Sequence, residues 1–136
     1  MYKRQTQAVR ACRNSNELLL KIKEATGLDV NILSGADEAY YDYISLKHYS
    51  GCKYFAGANI GGGSGQIIIS AENNKIFYES YPIGSMKITM LFVKHNQIEE
   101  NDERDIAEYI HKIIKNIPLY KTDTFYAMGG LSLIHI

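Results

Sequence analysis

A chain of 136 residues with 46% hydrophobic and 22% charged side chains is long enough to bury one core and reads as a single soluble domain. Its 15 basic residues balance its 15 acidic ones, which excludes the basic footprint of a nucleic-acid binder and the polybasic patch of a membrane-surface protein, so phosphate binding must be local. Apolar runs such as Ile67-Ile68-Ile69 fall far short of the roughly 18 residues of a membrane span, and no signal segment opens the chain, which makes the cytoplasm the expected compartment.

Both ends, Met1 to Gln5 and Leu131 to Ile136, have the form of translated sequencing-adapter DNA. Setting them aside leaves residues 6–130 as the domain, with a net charge of about −2 once Lys3 and Arg4 are removed. Asn14 followed by Glu17 suggests a capping box, and Leu18, Leu19, Ile22 and Ala25 recur at helical spacing until Gly27. Asp29 to Leu33 is short, β-branched and apolar, as a buried strand would be. Ser34 is the expected N-cap of a second helix through Glu38, Tyr43 and Leu46, with an acidic first turn that suits the helix dipole. Lys53 to Ile60, Gln66 to Ser70 and Lys75 to Tyr81 then read as three strands joined by tight turns, predicting an antiparallel meander. Ile83-Gly84-Ser85 leads into a short helix carrying Met86, Ile88, Met90, Leu91 and Phe92. Asn101 is the expected cap of a longer helix with an Ile106, Ile110, Ile113, Ile114 stripe, ended by Pro118. Thr124 to Met128 is a last strand running into Gly129-Gly130.

The chemistry centres on Asn59-Ile60-Gly61-Gly62-Gly63-Ser64. Three glycines permit positive φ values and a close backbone approach, turning amide N–H groups toward an anion, and Ser64 adds a hydroxyl. A P-loop or a dinucleotide-binding fingerprint would run into a helix, whereas here a strand follows. A ligand-free hairpin turn stays open on glycine content alone. Cys12 and Cys52 show no metal or disulfide spacing and read as buried free thiols; His48, His95 and His111 share no ligand spacing. Tyr40, Tyr41 and Tyr43 are expected to cover core edges. Arg10 and Arg13 are expected at the solvated surface, and Asp37 as a partner of the helix dipole.

Ile32-Leu33-Ser34-Gly35-Ala36-Asp37-Glu38-Ala39 before the glycine turn and Ser80-Tyr81-Pro82-Ile83-Gly84-Ser85 after it give the turn a context. With Arg10 and Asn14 ahead and Met128-Gly129-Gly130 behind, the order of motifs resembles the exopolyphosphatase and guanosine pentaphosphate phosphohydrolase family, Ppx/GppA. The resemblance implies an α/β fold: a ribonuclease H-like, actin-like ATPase superfamily domain, here partial and N-terminal over residues 6–130, with a mixed sheet containing the meander and flanked by helices. It implies a phosphohydrolase acting on polyphosphate or a guanosine pentaphosphate-type ligand, with Mg²⁺ as cofactor, and it admits a homodimer of the full-length protein.

By the same resemblance Glu38 matches the catalytic glutamate that orients or deprotonates the attacking water, and Gly61, Gly62, Gly63 and Ser64 would hold the terminal phosphate. Asn59 and Gln66 stand at the family's metal-binding carboxylate positions, where neutral amides bind a hard cation less strongly. Gly65 replaces a threonine. Two other functions stay open: a regulatory relative that binds phosphate polymers or nucleotides without turnover, and an actin-like kinase or ATPase.

Overall fold

The computed structural model describes residues 2–5, 7–95 and 97–129, the first four by backbone alone. The chain runs β1 (Tyr2–Gln5), α1 (Gln7–Arg10), α2 (Ser15–Thr26), β2 (Asp29–Ile32), α3 (Gly35–Tyr49), β3 (Phe55–Ile60), β4 (Gly65–Ala71), β5 (Lys75–Tyr81), α4 (Ser85–Phe92), α5 (Glu100–Ile114) and β6 (Thr124–Met128). Residues 1–5 carry no element in the sequence reading, yet Tyr2–Gln5 pairs in parallel with Asp29–Ile32. The expectations for Leu131 to Ile136 and for Gly130 lie outside the described residues.

The predicted meander forms: β3, β4 and β5 are successive antiparallel neighbours. Beyond it, α4 and α5 carry the chain back so that β6 lies parallel to β3, giving the sheet order β5-β4-β3-β6 and the mixed sheet expected. The core lies between this sheet and α3. Phe55 and Ile68 are fully buried, and Tyr43 and Leu46 of α3 close over them, each such side chain contributing roughly 1.5–3 kcal/mol. Tyr43 stacks between Phe55 and Tyr78, at 6.3 and 5.7 Å, as an aromatic that covers the core should. Tyr40 packs at the edge on Tyr78.

Several local expectations change. Asn14 occupies the N-cap of α2 without a side-chain cap bond. Its Oδ1 accepts from Cys12 Sγ at 2.9 Å and Glu17 pairs with Lys21 at 2.6 Å, so the expected capping box does not form. α5 is capped by Glu99, whose reciprocal partner is Asp102, in place of Asn101. β2 alternates between exposed and half-buried residues and is not a buried strand. Both cysteines are free, and both are half-buried. Ser34 does cap α3 as expected, its Oγ accepting from Asp37 N–H at 3.1 Å while Asp37 accepts from Ser34 N–H at 3.0 Å. This box fixes where the first turn of α3, and with it Glu38, begins. Among the described residues no helix is long and apolar enough to cross a membrane.

Candidate functional site

The glycine turn joins β3 to β4 and is closed by Gly61 N–H donating to Ser64 O at 3.0 Å. Contrary to expectation, none of Gly61, Gly62 and Gly63 takes a positive φ. At Gly62 and Gly63 the glycine leaves room for neighbouring side chains. A Cβ on Gly63 would stand 2.5 Å from Gln7 Cγ of α1, and one on Gly62 would stand 3.1 Å from Met86 Sδ of α4. Gly84, just ahead of α4, presses closest: its Cβ would fall 2.4 Å from the Gly63 carbonyl carbon and 2.5 Å from that of Gly62. Ser85 N–H then donates to Gly61 O at 2.9 Å and Lys87 N–H to Gly62 O at 3.0 Å, so first-turn amides of α4 clamp the carbonyls of the turn. The amides of Gly62, Gly63 and Ser64 make no backbone hydrogen bond among the described residues.

Glu38 comes to this turn from α3. Its Oε2 accepts from Gln66 Nε2 at 2.9 Å and from Ser64 Oγ at 3.3 Å, and its Oε1 from Arg10 Nη1 at 3.2 Å. The Glu38 side chain is only 9% exposed. Arg10 is therefore not solvated surface: it is held by Glu38, by the Leu33 carbonyl and by Gln7 Oε1 at 2.6 Å. Arg13 is exposed as expected, as is His95. His48 meets Tyr49 edge-on and His111 lies 3.2 Å from its own helix's Ala107 carbonyl, away from this cluster.

One turn beyond Glu38 on α3 stands Asp42, which the sequence reading missed; its i, i+4 spacing from Glu38 is the signal that could have found it. Asp42 Oδ2 accepts from Asn59 Nδ2 at 2.9 Å. Burial pushes the Asp42 carboxyl above its usual range, the nearby Glu38 charge adds to this, and the Asn59 hydrogen bond opposes it. Asn59 and Gln66 are register partners across β3 and β4, so their side chains share one face of the sheet. Gln66 is buried, with its Nε2 also 3.1 Å from both Ser64 Oγ and Ser80 Oγ. Ser80, part of the motif read after the turn, thus joins the cluster.

These residues do not fit a resident Mg²⁺ ion. Asn59 and Gln66 present amide N–H groups, not oxygens, to the carboxylates. Among the described residues no three His, Cys, Asp or Glu side chains converge as a ligand set. A cleft of about 830 Å³ opens over the cluster, with the glycine turn, Glu38 and Asp42 on its floor and Met86, Met90 and Leu91 along α4 on its wall. Lys87 supplies a cation to the same wall.

An antiparallel meander extended by a parallel strand, with a glycine hairpin facing carboxylates on the covering helix, defines a domain of the actin-like ATPase fold. The chain belongs to the Ppx/GppA phosphatase family, whose model matches residues 5–133. The structure of the Aquifex aeolicus Ppx/GppA enzyme superposes with a TM-score of 0.72 at 25% identity, over 93% of this chain and 42% of that one. An exopolyphosphatase from Cytophaga hutchinsonii gives 0.78 at 25% identity, over 93% and 43%. In sequence, exopolyphosphatase 1 of Mycobacterium tuberculosis is 28% identical over 88 residues, 62% of this chain and 25% of the relative. The chain thus spans about a quarter of the length of that curated relative.

Proposed function

We propose that these residues form one wall of the cleft of a phosphohydrolase that releases terminal phosphate from polyphosphate or from a guanosine pentaphosphate-type alarmone. The observation that carries the reading is the placement of Glu38, whose carboxylate lies 3.3 Å from Ser64 Oγ at the lip of the glycine turn. The amides of Gly62, Gly63 and Ser64 hold the oxygens of the terminal phosphate, and the Ser64 hydroxyl adds a donor. Glu38 orients and deprotonates the water that attacks phosphorus opposite the leaving oxygen. Arg10 and Gln66, each bound to one carboxylate oxygen, fix the direction in which Glu38 faces. A second domain of a longer protein supplies the opposite wall, so the 136-residue chain alone shows no turnover. Cytoplasmic location and a homodimer of the full-length protein belong to the same proposal.

The test is phosphate release from polyphosphate and from the alarmone by the full-length protein and by its Glu38→Ala variant. Loss of the base should lower kcat by about 10²–10⁴-fold, and unchanged activity would overturn its role. The engagement of Glu38 and Asp42 by Gln66 and Asn59 favours one second reading, a regulatory protein that binds phosphate polymers without hydrolysis. Polyphosphate binding with no release by the wild type would decide for it.

A further inference from the structure

Four polar side chains on the cleft floor form a two-by-two set. Glu38 and Asp42 stand one turn apart on α3, and Gln66 and Asn59 stand opposite each other across β4 and β3. Each carboxylate takes one amide: Gln66 Nε2 reaches Glu38 Oε2 at 2.9 Å, and Asn59 Nδ2 reaches Asp42 Oδ2 at 2.9 Å. An ionised carboxylate can only accept, so the amide atom facing it must be the nitrogen. The amide oxygens, the only amide atoms able to bind a hard cation, are thereby turned away from Glu38 and Asp42. Asn59 Oδ1 lies against the end of β6, only 2.6 Å from where a Cβ on Gly129 would stand.

We infer that in this chain amide donors do the work of a divalent cation at the cleft floor: Asn59 and Gln66 hold the two α3 carboxylates, and the site has no resident affinity for Mg²⁺. Carboxylates at both positions would set two like-charged pairs face to face, with two carboxylate groups in each pair. Arg10, 3.2 Å from Glu38, offsets part of the repulsion in one pair; the rest, above all at Asp42, is relieved by a proton or by a bound cation. Asn→Asp and Gln→Glu change no side-chain size, so the exchange alters charge and donor pattern without altering packing. The inference concerns this chain's own side chains and stands whether or not the phosphohydrolase reading holds.

The test needs no substrate. The 136-residue chain is titrated with Mn²⁺ in phosphate-free buffer, free Mn²⁺ is followed by electron paramagnetic resonance, and melting temperature is recorded with and without Mg²⁺. The wild type should take up no stoichiometric Mn²⁺ and melt at the same temperature with Mg²⁺. The N59D/Q66E variant should gain at least about tenfold in Mn²⁺ affinity and become stabilised by Mg²⁺, both effects being lost when Asp42→Asn and Glu38→Gln are added. Wild-type uptake of one Mn²⁺ that Asp42→Asn abolishes would overturn the inference, as would a folded N59D/Q66E variant with no gain in affinity. Should that variant fail to fold, the wild-type titration and the Asn59→Asp single variant decide by the same criteria.

Discussion

The meander has two hairpin turns, and they use their residues in opposite ways. The β3–β4 turn carries Gly61, Gly62 and Gly63, yet none of the three adopts a positive φ. The β4–β5 turn has no glycine, and there Asn73 and Asn74 take φ values of 59° and 57°. Two successive left-handed residues match the twist of the flanking strands, and asparagine tolerates them better than most side chains do. Glycine at positions 62 and 63 of the first turn is a demand of neighbouring atoms from α4 and α1. Asparagine in the second is a demand of the turn's own backbone.

That contrast can be broken by substitution, with unfolding free energy from chemical denaturation as the measure. Gly84→Ala should have the largest effect, about 3 kcal/mol of destabilisation, because the added methyl meets backbone atoms of Gly62 and Gly63 that cannot swing aside. A loss below the scatter of ordinary surface substitutions would show that α4 does not clamp the turn. Asn74→Ala should cost about 1 kcal/mol, and Asn74→Gly should avoid that loss; equal effects of the two would mean that left-handed backbone is not what the second turn requires. The smallest change is expected at Gly61, where a Cβ would meet only Ser64 O, at an ordinary 3.4 Å, and φ is not positive. Gly61→Ala should stay within about 0.5 kcal/mol. A large loss there would return the first turn to the backbone explanation.

The same contrast shows what was legible. Elements whose cause is local were read with nearly the right bounds: α3 begins directly after its Ser34 cap because the Ser34–Asp37 box is contained in four residues, and β5 spans Lys75–Tyr81 as expected. Asn14 was placed correctly at the start of α2, but its box with Glu17 fails because each has another partner, Cys12 and Lys21. Asn101 was wrong because several polar residues near a helix start compete for one cap and sequence does not rank them. In the cluster around the turn, Glu38, the glycines and the Ser80-to-Gly84 stretch were singled out because each sits in a short recognisable run. Arg10 was misassigned and Asp42 was missed because their partners, Glu38 and Asn59, lie 28 and 17 residues away in the chain.

The sequence by itself determined the order of helices and strands from α2 to β6, the hairpin with its glycines, and the presence of Glu38 on the helix that precedes it. Those follow from spacing, capping and turn chemistry acting within a few residues. Only the tertiary structure decided that Asn59 and Gln66 offer nitrogen to two carboxylates, that α4 fastens the turn through its first-turn amides, and that Arg10 closes on Glu38. Each of these depends on which atoms of distant segments meet and on which end of an amide faces a charge, and the third dimension alone sets that.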